Sequence, residues 1–222
     1  MATALYKQVV TDGLVFYIDA GNIKSYPATG STWVDFSRNE FTGNFINGPI
    51  FSNDGGGVIE LDGVNDYIEI PHGGVLSFSA SDFTVSVWQK VISVGGYHGI
   101  VTNDNASDDA WKIYHDTGHI RYTARCNYGT LVFDPYIIGK FHNYTFTVTG
   151  TSLRTYTDTI LNNQVATTIS PVAENNIAIG KYRYGDTNLY ANQQIGTVML
   201  YDRALSQDEI TFNYNALKNR FI

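Results

Sequence analysis

Residues 195–222 read IGTVMLYDRALSQDEITFNYNALKNRFI, and this segment limits the architecture more than any other. It alternates like a strand and then runs directly into a short helix. Ser206 is a good N-cap, and Glu209 three residues later completes a capping box. Ile210, Tyr214, Leu217 and Phe221 recur at helical spacing and give one apolar stripe. Everything upstream carries strand patterning, so the chain reads as an all-β body with one short C-terminal helix.

The clearest strand is HNYTFTVT. His142, Tyr144, Phe146 and Val148 face one way; Asn143, Thr145, Thr147 and Thr149 face the other. In FTVSVW, Phe83, Val85 and Val87 alternate with Thr84 and Ser86, and HIRYTAR separates Ile120, Tyr122 and Ala124 from Arg121, Thr123 and Arg125. VIEL and YIEI flank an Asp-Gly turn at residues 62–66. Period-2 alternation predicts one buried and one wet face, the pattern of an antiparallel sandwich. About 11 to 14 strands of ordinary length fit. Residues 19–57, rich in Gly, Asn, Ser and Pro, read as a long ordered surface excursion pinned by Trp33, Phe36 and Phe45.

A 222-residue all-β chain is commonly one domain. The expected division is an N-terminal arm, residues 1–12, and a single domain, residues 13–222. The 16 Tyr and 12 Phe suit strands. A net charge of −7 argues against nucleic acid, whose phosphates need a basic surface. The lone Cys126 cannot form an internal disulfide. The opening MATALYKQVVTDG has no apolar run long enough for a signal peptide or membrane span, which leads us to expect synthesis in a cytoplasm. The sequons at Asn105 and Asn143 then lack a secretory context.

Five blocks, at residues 13–37, 59–70, 83–90, 141–158 and 195–210, together resemble the LamG-like jelly-roll group of the concanavalin A-like lectin/glucanase fold. DGVNDYI and YDRALSQDEI are the most specific. The opening block, with its YIDAGN, YPATG and TWVDFS runs, resembles the version common in phage virion proteins. The resemblance implies a two-sheet antiparallel jelly-roll sandwich with a small C-terminal helix covering one edge. It leaves function open, because this fold hosts lectins, enzymes, adhesion modules and structural domains.

Glycosidases of this fold carry E-x-D-x-E on one strand, so that alternate carboxylates share a cleft and divide the acid and base roles. The nearest match is Glu60-Leu61-Asp62-Gly63-Val64, with valine in the third place. Asp62 also opens an Asp-Gly turn, where its side chain is expected to cap the backbone. His72, His98, His115, His119 and His142 have no metalloprotease spacing. His115 and His119 flank an Asp-Thr-Gly turn and read as hairpin flanks or, less simply, a metal pair; His142 reads as a satisfied core histidine. No catalytic residue is assigned. Relatives often hold calcium with Asp and Asn side chains, and here the candidates are Asp104, Asp108 and Asp109 in the loop at residues 103–109, beside the plainer reading of a solvated hairpin loop. No other cofactor is expected. Asp19 and Asp202 lie in family blocks near opposite ends of the chain and are expected to meet or to cap turns.

Sugar binding would need flat rings beside amides or carboxylates. Tyr97, His98, Tyr182, Tyr184, Asp186 and Tyr190 have that composition, which equally suits sheet packing or a protein contact. The resulting expectation is a non-enzymatic bacteriophage virion protein. It would be a capsid decoration or cement subunit that docks through its arm and Tyr-rich loops, forms a homo-oligomer and touches neither membrane nor nucleic acid. The alternative is a carbohydrate-binding adhesin on the tail or head surface, with cell-surface glycans as partners.

Overall fold

The computed structural model describes residues 8–78, 82–93, 95–103, 111–124, 132–166, 176–184 and 187–222. Their strands are β1 (Leu14–Asp19), β2 (Thr32–Val34), β3 (Thr42–Ile46), β4 (Ile50–Ser52), β5 (Val58–Asp62), β6 (Tyr67–Ile70), β7 (Phe83–Ser93), β8 (His98–Asn103) and β9 (Trp111–Asp116). They continue with β10 (His119–Ala124), β11 (Val132–Pro135), β12 (Phe141–Thr149), β13 (Ser152–Thr157), β14 (Ile160–Ala166), β15 (Ile177–Ile179), β16 (Lys181–Tyr184), β17 (Thr187–Tyr190) and β18 (Asn192–Tyr201). Among the described residues a single α-helix, α1 (Gln207–Phe221), follows. The strand number exceeds the expected range in part because residues 19–57 contain β2, β3 and β4. Strands of three to five residues are too short to display a period.

One sheet runs β14-β13-β12-β7-β18-β5-β4, with β1 also on β18; the other runs β11-β10-β9-β8-β15-β6-β3-β2. Every ladder between these strands is antiparallel. The inward residues of both sheets form one core: Phe16, Ile18, Val85, Val87 and Phe146 from the first meet Ile68, Ile113, Ile120 and Tyr122 from the second. The edge strands of the two sheets are tied together where Asp134 on β11 accepts hydrogen bonds from Asn163 (2.6 Å) and Asn162 (3.1 Å) on β14. The outer edge of β1 is blocked by side chains. Tyr17 N–H donates to Asp35 Oδ1 (2.7 Å), Asp19 N–H to Ser25 Oγ (3.1 Å), and Ser37 Oγ to the Val15 carbonyl (2.8 Å). An edge so occupied cannot recruit a foreign strand.

The helix begins as expected, with Ser206 as N-cap and both capping-box bonds to Glu209. Its position differs from expectation. It lies across the outer face of the first sheet, over the central strands β7 and β18, and not along an edge. Ile210, Leu217 and Phe221 pack there with Trp88, Met199, Tyr201 and Tyr156. The wet face expected of β7 and β12 is therefore buried: Thr84, Ser86, Asn143, Thr145 and Thr147 all lie inside. Thr84, Ser86, Asn143 and Thr145 remain hydrogen-bonded, as buried polar groups generally are. Asn143 Nδ2 donates to Ser86 Oγ (3.0 Å) and Thr84 Oγ1 to the Arg203 carbonyl (2.9 Å). Asn143 is thus no accessible sequon; Asn105 and Cys126 lie outside the described residues.

The buried stripe of α1 includes Asn213, which the apolar pattern did not mark. Its Oδ1 accepts from Val10 N–H (2.8 Å) and its Nδ2 donates to Tyr201 Oη (3.0 Å). Val9 and Val10 of the expected arm are accordingly packed on the helix and the sheet; residues 1–7 lie outside the described residues. Asp19 and Asp202 do not meet. They sit at opposite ends of the β1–β18 ladder, where Asp19 bonds Arg220 (2.5 Å) and Asp202 faces Arg38 (3.5 Å).

Candidate functional site

After β15 the chain turns at Gly180, φ 91°, and the β16–β17 hairpin lies over the outer face of the second sheet. Thr102 Oγ1 on β8 donates to the Lys181 carbonyl (2.9 Å). Gly99, also on β8, has no side chain because a Cβ there would collide with that same carbonyl. This close approach sets Tyr182 on Tyr114, with ring centroids 4.7 Å apart and planes 26° from parallel. Tyr97 stacks on the Tyr182 ring at 6.0 Å. Lys112 Nζ lies 5.0 Å from the Tyr182 ring, and the Arg121 guanidinium 5.7 Å from Tyr97. Lys112 is 3% exposed, and the ring face replaces part of the hydration it has lost. Arg121 also holds Asp116 at 2.6 Å.

Two of the six residues expected to touch a ligand, Tyr97 and Tyr182, come together here. Tyr182 is buried, whereas Tyr97 is 38% exposed and forms the accessible end of the stack. Tyr190 lies elsewhere, 6.1 Å from Tyr67, whose ring also carries Lys181 Nζ at 4.0 Å. His98 is half-buried opposite His115, and its pKa is lowered by burial. The Tyr184 side chain, Asp186 and the calcium candidates Asp104, Asp108 and Asp109 lie outside the described residues. Lys112, Tyr114 and Arg121 were missed. Their signal was present in the outward positions of WKIYHD and HIRYTA, which place a Lys, a Tyr and an Arg on one face.

His115 and His119 flank their hairpin without facing each other: His119 pairs with Asp116 and is exposed, whereas His115 points into the core. There His115 Nε2 accepts from Gln89 Nε2 (2.8 Å), and Gln89 also donates to Gln193. Burial, and then the nearby His98, hold the His115 pKa down to about 3. His142 is bonded to Asp158 through Nδ1 (2.5 Å). Among the described residues no group of three His, Cys, Asp or Glu could hold a metal ion.

The Glu60-x-Asp62 strand lies at one end of the sandwich. There the β3–β4 and β5–β6 connections cross between sheets and enclose a cleft of about 420 Å³. Asp62 Oδ1 accepts from the backbone N–H groups of Val64 (2.8 Å), Asn65 (3.3 Å) and Asp66 (3.4 Å). The bond from Val64, with the others, holds its pKa down, as expected of a turn cap. Asp66 is buried beside it, and burial followed by the Asp62 charge raises its pKa. Glu60 Oε1 accepts from Gln194 Nε2 (2.7 Å).

These features mark a β-sandwich with its candidate site residues on the outer face of one sheet and at one end. The chain belongs to the concanavalin A-like lectin/glucanases superfamily, whose laminin-G-type family model matches residues 62–211. Among solved structures it is similar to the receptor-binding domain of botulinum neurotoxin type G (15% identity, TM-score 0.69), covering 92% of this chain and 51% of that one. It is similar also to the binding domain of botulinum neurotoxin DC in complex with rat synaptotagmin II (13% identity, TM-score 0.73; 94% and 52% covered). A third is Trypanosoma rangeli sialidase in complex with sialic acid (17% identity, TM-score 0.71; 95% and 34% covered). The chain thus spans about half of the toxin chains and a third of the sialidase, and at these identities the likeness is one of fold. No curated protein matches the sequence.

Proposed function

We propose that this chain is a non-enzymatic recognition domain of a bacteriophage virion, a capsid-decorating subunit that grips the shell and displays its sandwich outward. The observation that carries binding over catalysis is the state of the Glu60-x-Asp62 strand. Asp62 is engaged by three backbone N–H groups, and Val64 stands where the third acid of a glycosidase strand would be. A carboxylate committed to its own turn is a poor proton shuttle. The virion setting is supported by the resemblance of residues 13–37 to phage examples. Oligomerisation about a symmetry axis suits such a role. Mass spectrometry of purified full particles is expected to find the chain in multiple copies; particles that lack it end this reading.

A second reading, a glycan-binding adhesin, is favoured by Tyr97, an exposed ring at the end of a tyrosine stack with Arg121 beneath it. The similar toxin binding domain stands in complex with rat synaptotagmin II, and the similar sialidase in complex with sialic acid. A glycan array is expected to return binding that Tyr97→Ala weakens at least about tenfold. An array blank for the folded chain removes this second reading and leaves the first intact.

A further inference from the structure

We propose that two copies of this chain pair through α1 about a two-fold axis, each seating its Phe212 in a groove of the other. The groove runs along one flank of the helix, between α1, β1 and residues 8–11, with a volume of about 710 Å³. Leu14, Tyr17 and Phe36 give it an apolar floor, Ala216 and Asn219 form its helical wall, and Lys24 stands on its rim. The Tyr17 and Phe36 rings adjoin, with centroids 5.8 Å apart, so the floor offers a continuous aromatic surface.

Phe212 is the part that fits this floor. It is 53% exposed on the side of α1 turned away from the sheet, because Ile210, Asn213, Leu217 and Phe221 take the buried side. Ala216 and Asn219 follow it at i+4 and i+7, so Phe212 and the wall of the groove share one stripe of the helix. When α1 is laid antiparallel on its own copy, Phe212 of each chain faces Ala216 and the groove of the other, an isologous contact. A large aromatic side chain seated in an apolar pocket is the usual anchor of such an interface.

Charge selects a second copy as the occupant. Asp208 lies one turn before Phe212, exposed and in no ion pair among the described residues; Lys24 is likewise exposed and its ammonium unpaired. With Phe212 opposite Ala216, Asp208 falls opposite Arg220, which packs against Gly21 at the Lys24 end of the groove. The dimer therefore brings an unpaired acid to an unpaired base twice. The acidic first turn and basic last turn of α1 also favour the antiparallel arrangement. A foreign partner would have to supply an aromatic side chain with an acid one helical turn before it, the pair this chain already presents on an open face. This inference goes beyond the virion reading and is separable from it, because it is tested on the isolated chain and not on particles.

The test is sedimentation of the full chain over about 1–200 μM. The salt is set at about 0.15 M, where repulsion between the net charges of −7 is screened within about 8 Å. The wild type is expected to pass from monomer to dimer in this range and to go no further. Phe212→Asp is expected to weaken pairing at least about a hundredfold, with the thermal midpoint of the dilute chain unchanged. Lys24→Asp and Asp208→Lys are each expected to weaken it about tenfold and, combined, to recover most of that loss. Should Asp208→Lys fail to fold, Lys24→Asp alone decides the charge argument. A monomer throughout the range, undiminished pairing in Phe212→Asp or in Lys24→Asp, or a folded double variant no stronger than either single one each overturns the assignment. A chain that is monomeric in solution yet present on particles overturns it and leaves the virion reading standing.

Discussion

The Phe221 ring stacks on the Trp88 indole, with centroids 4.5 Å apart and planes 17° from parallel. This contact joins the last turn of α1 to the central strand β7. The ring also rests against Phe141 and directly over Gly196 and Gly55, where any Cβ would strike it. Phe221→Ala removes a buried aromatic from a site whose glycine floor cannot rise to fill the gap. The expected loss is about 3–5 kcal/mol in urea unfolding. A loss under about 1 kcal/mol contradicts the placement of the helix over the sheet centre.

The Arg220–Asp19 pair makes a second tie, and its weight comes from burial of the carboxylate. Asp19 accepts from Gly21 N–H (2.9 Å) and Tyr17 Oη (3.3 Å) as well as from Arg220. Arg220→Met strands a buried charge and is expected to destabilise by about 3 kcal/mol, with Asp19→Asn restoring part of the loss. Arg38→Met, in the exposed pair with Asp202, is expected to change stability by less than about 0.5 kcal/mol. Equal effects from the two arginine variants refute the argument.

His115 predicts a pH dependence. Its pKa is near 6.5 in the unfolded chain and about 3 when folded. Between these values the unfolded chain binds the extra proton, so stability falls as pH drops below about 6.5, by up to about 1.4 kcal/mol per unit. Carboxylates add their own slope in acid, and the difference between wild type and His115→Leu isolates the histidine. Urea unfolding at several pH values should show a steeper decline for the wild type; parallel curves would falsify a neutral buried His115.

Gly99 predicts the coupling of the β16–β17 hairpin to the sheet. Gly99→Val cannot keep the Lys181 carbonyl against β8, so the hairpin must lift and Tyr182 must leave Tyr114. Amide exchange in β16 is expected to accelerate by at least about tenfold with the core strands unchanged. Uniform protection across the variant would disprove the coupling.

The capped helix, the alternating strands and the turn-capping role of Asp62 were legible in the sequence because each is a local device written in neighbouring residues. Ser206 and Glu209 are three apart, and the period of Phe83, Val85 and Val87 is two. The second buried face was not legible. Ser86, Thr145 and Thr147 look like solvent residues, and only the helix that returns from residue 207 onward, with Asn143 between the hydroxyls, makes them interior. The tyrosine stack was half legible: Tyr97 and Tyr182 stood out by composition, whereas Tyr114, Lys112 and Arg121 needed the hairpin to fold back on them. The cleft depends on Gln194 reaching Glu60 across 134 positions, a distance no pattern in the chain spans.

Strand β18 lies at the heart of its sheet and, among the described residues, is the only one that joins β1, β5 and β7. Those three are made early, and until residue 201 has been synthesised they have no common neighbour. A chain still growing on the ribosome must carry three apolar ribbons without the member that unites them. Assembly of this sheet therefore waits on translation of β18, and pairings so far apart in the chain favour slow acquisition of the native state.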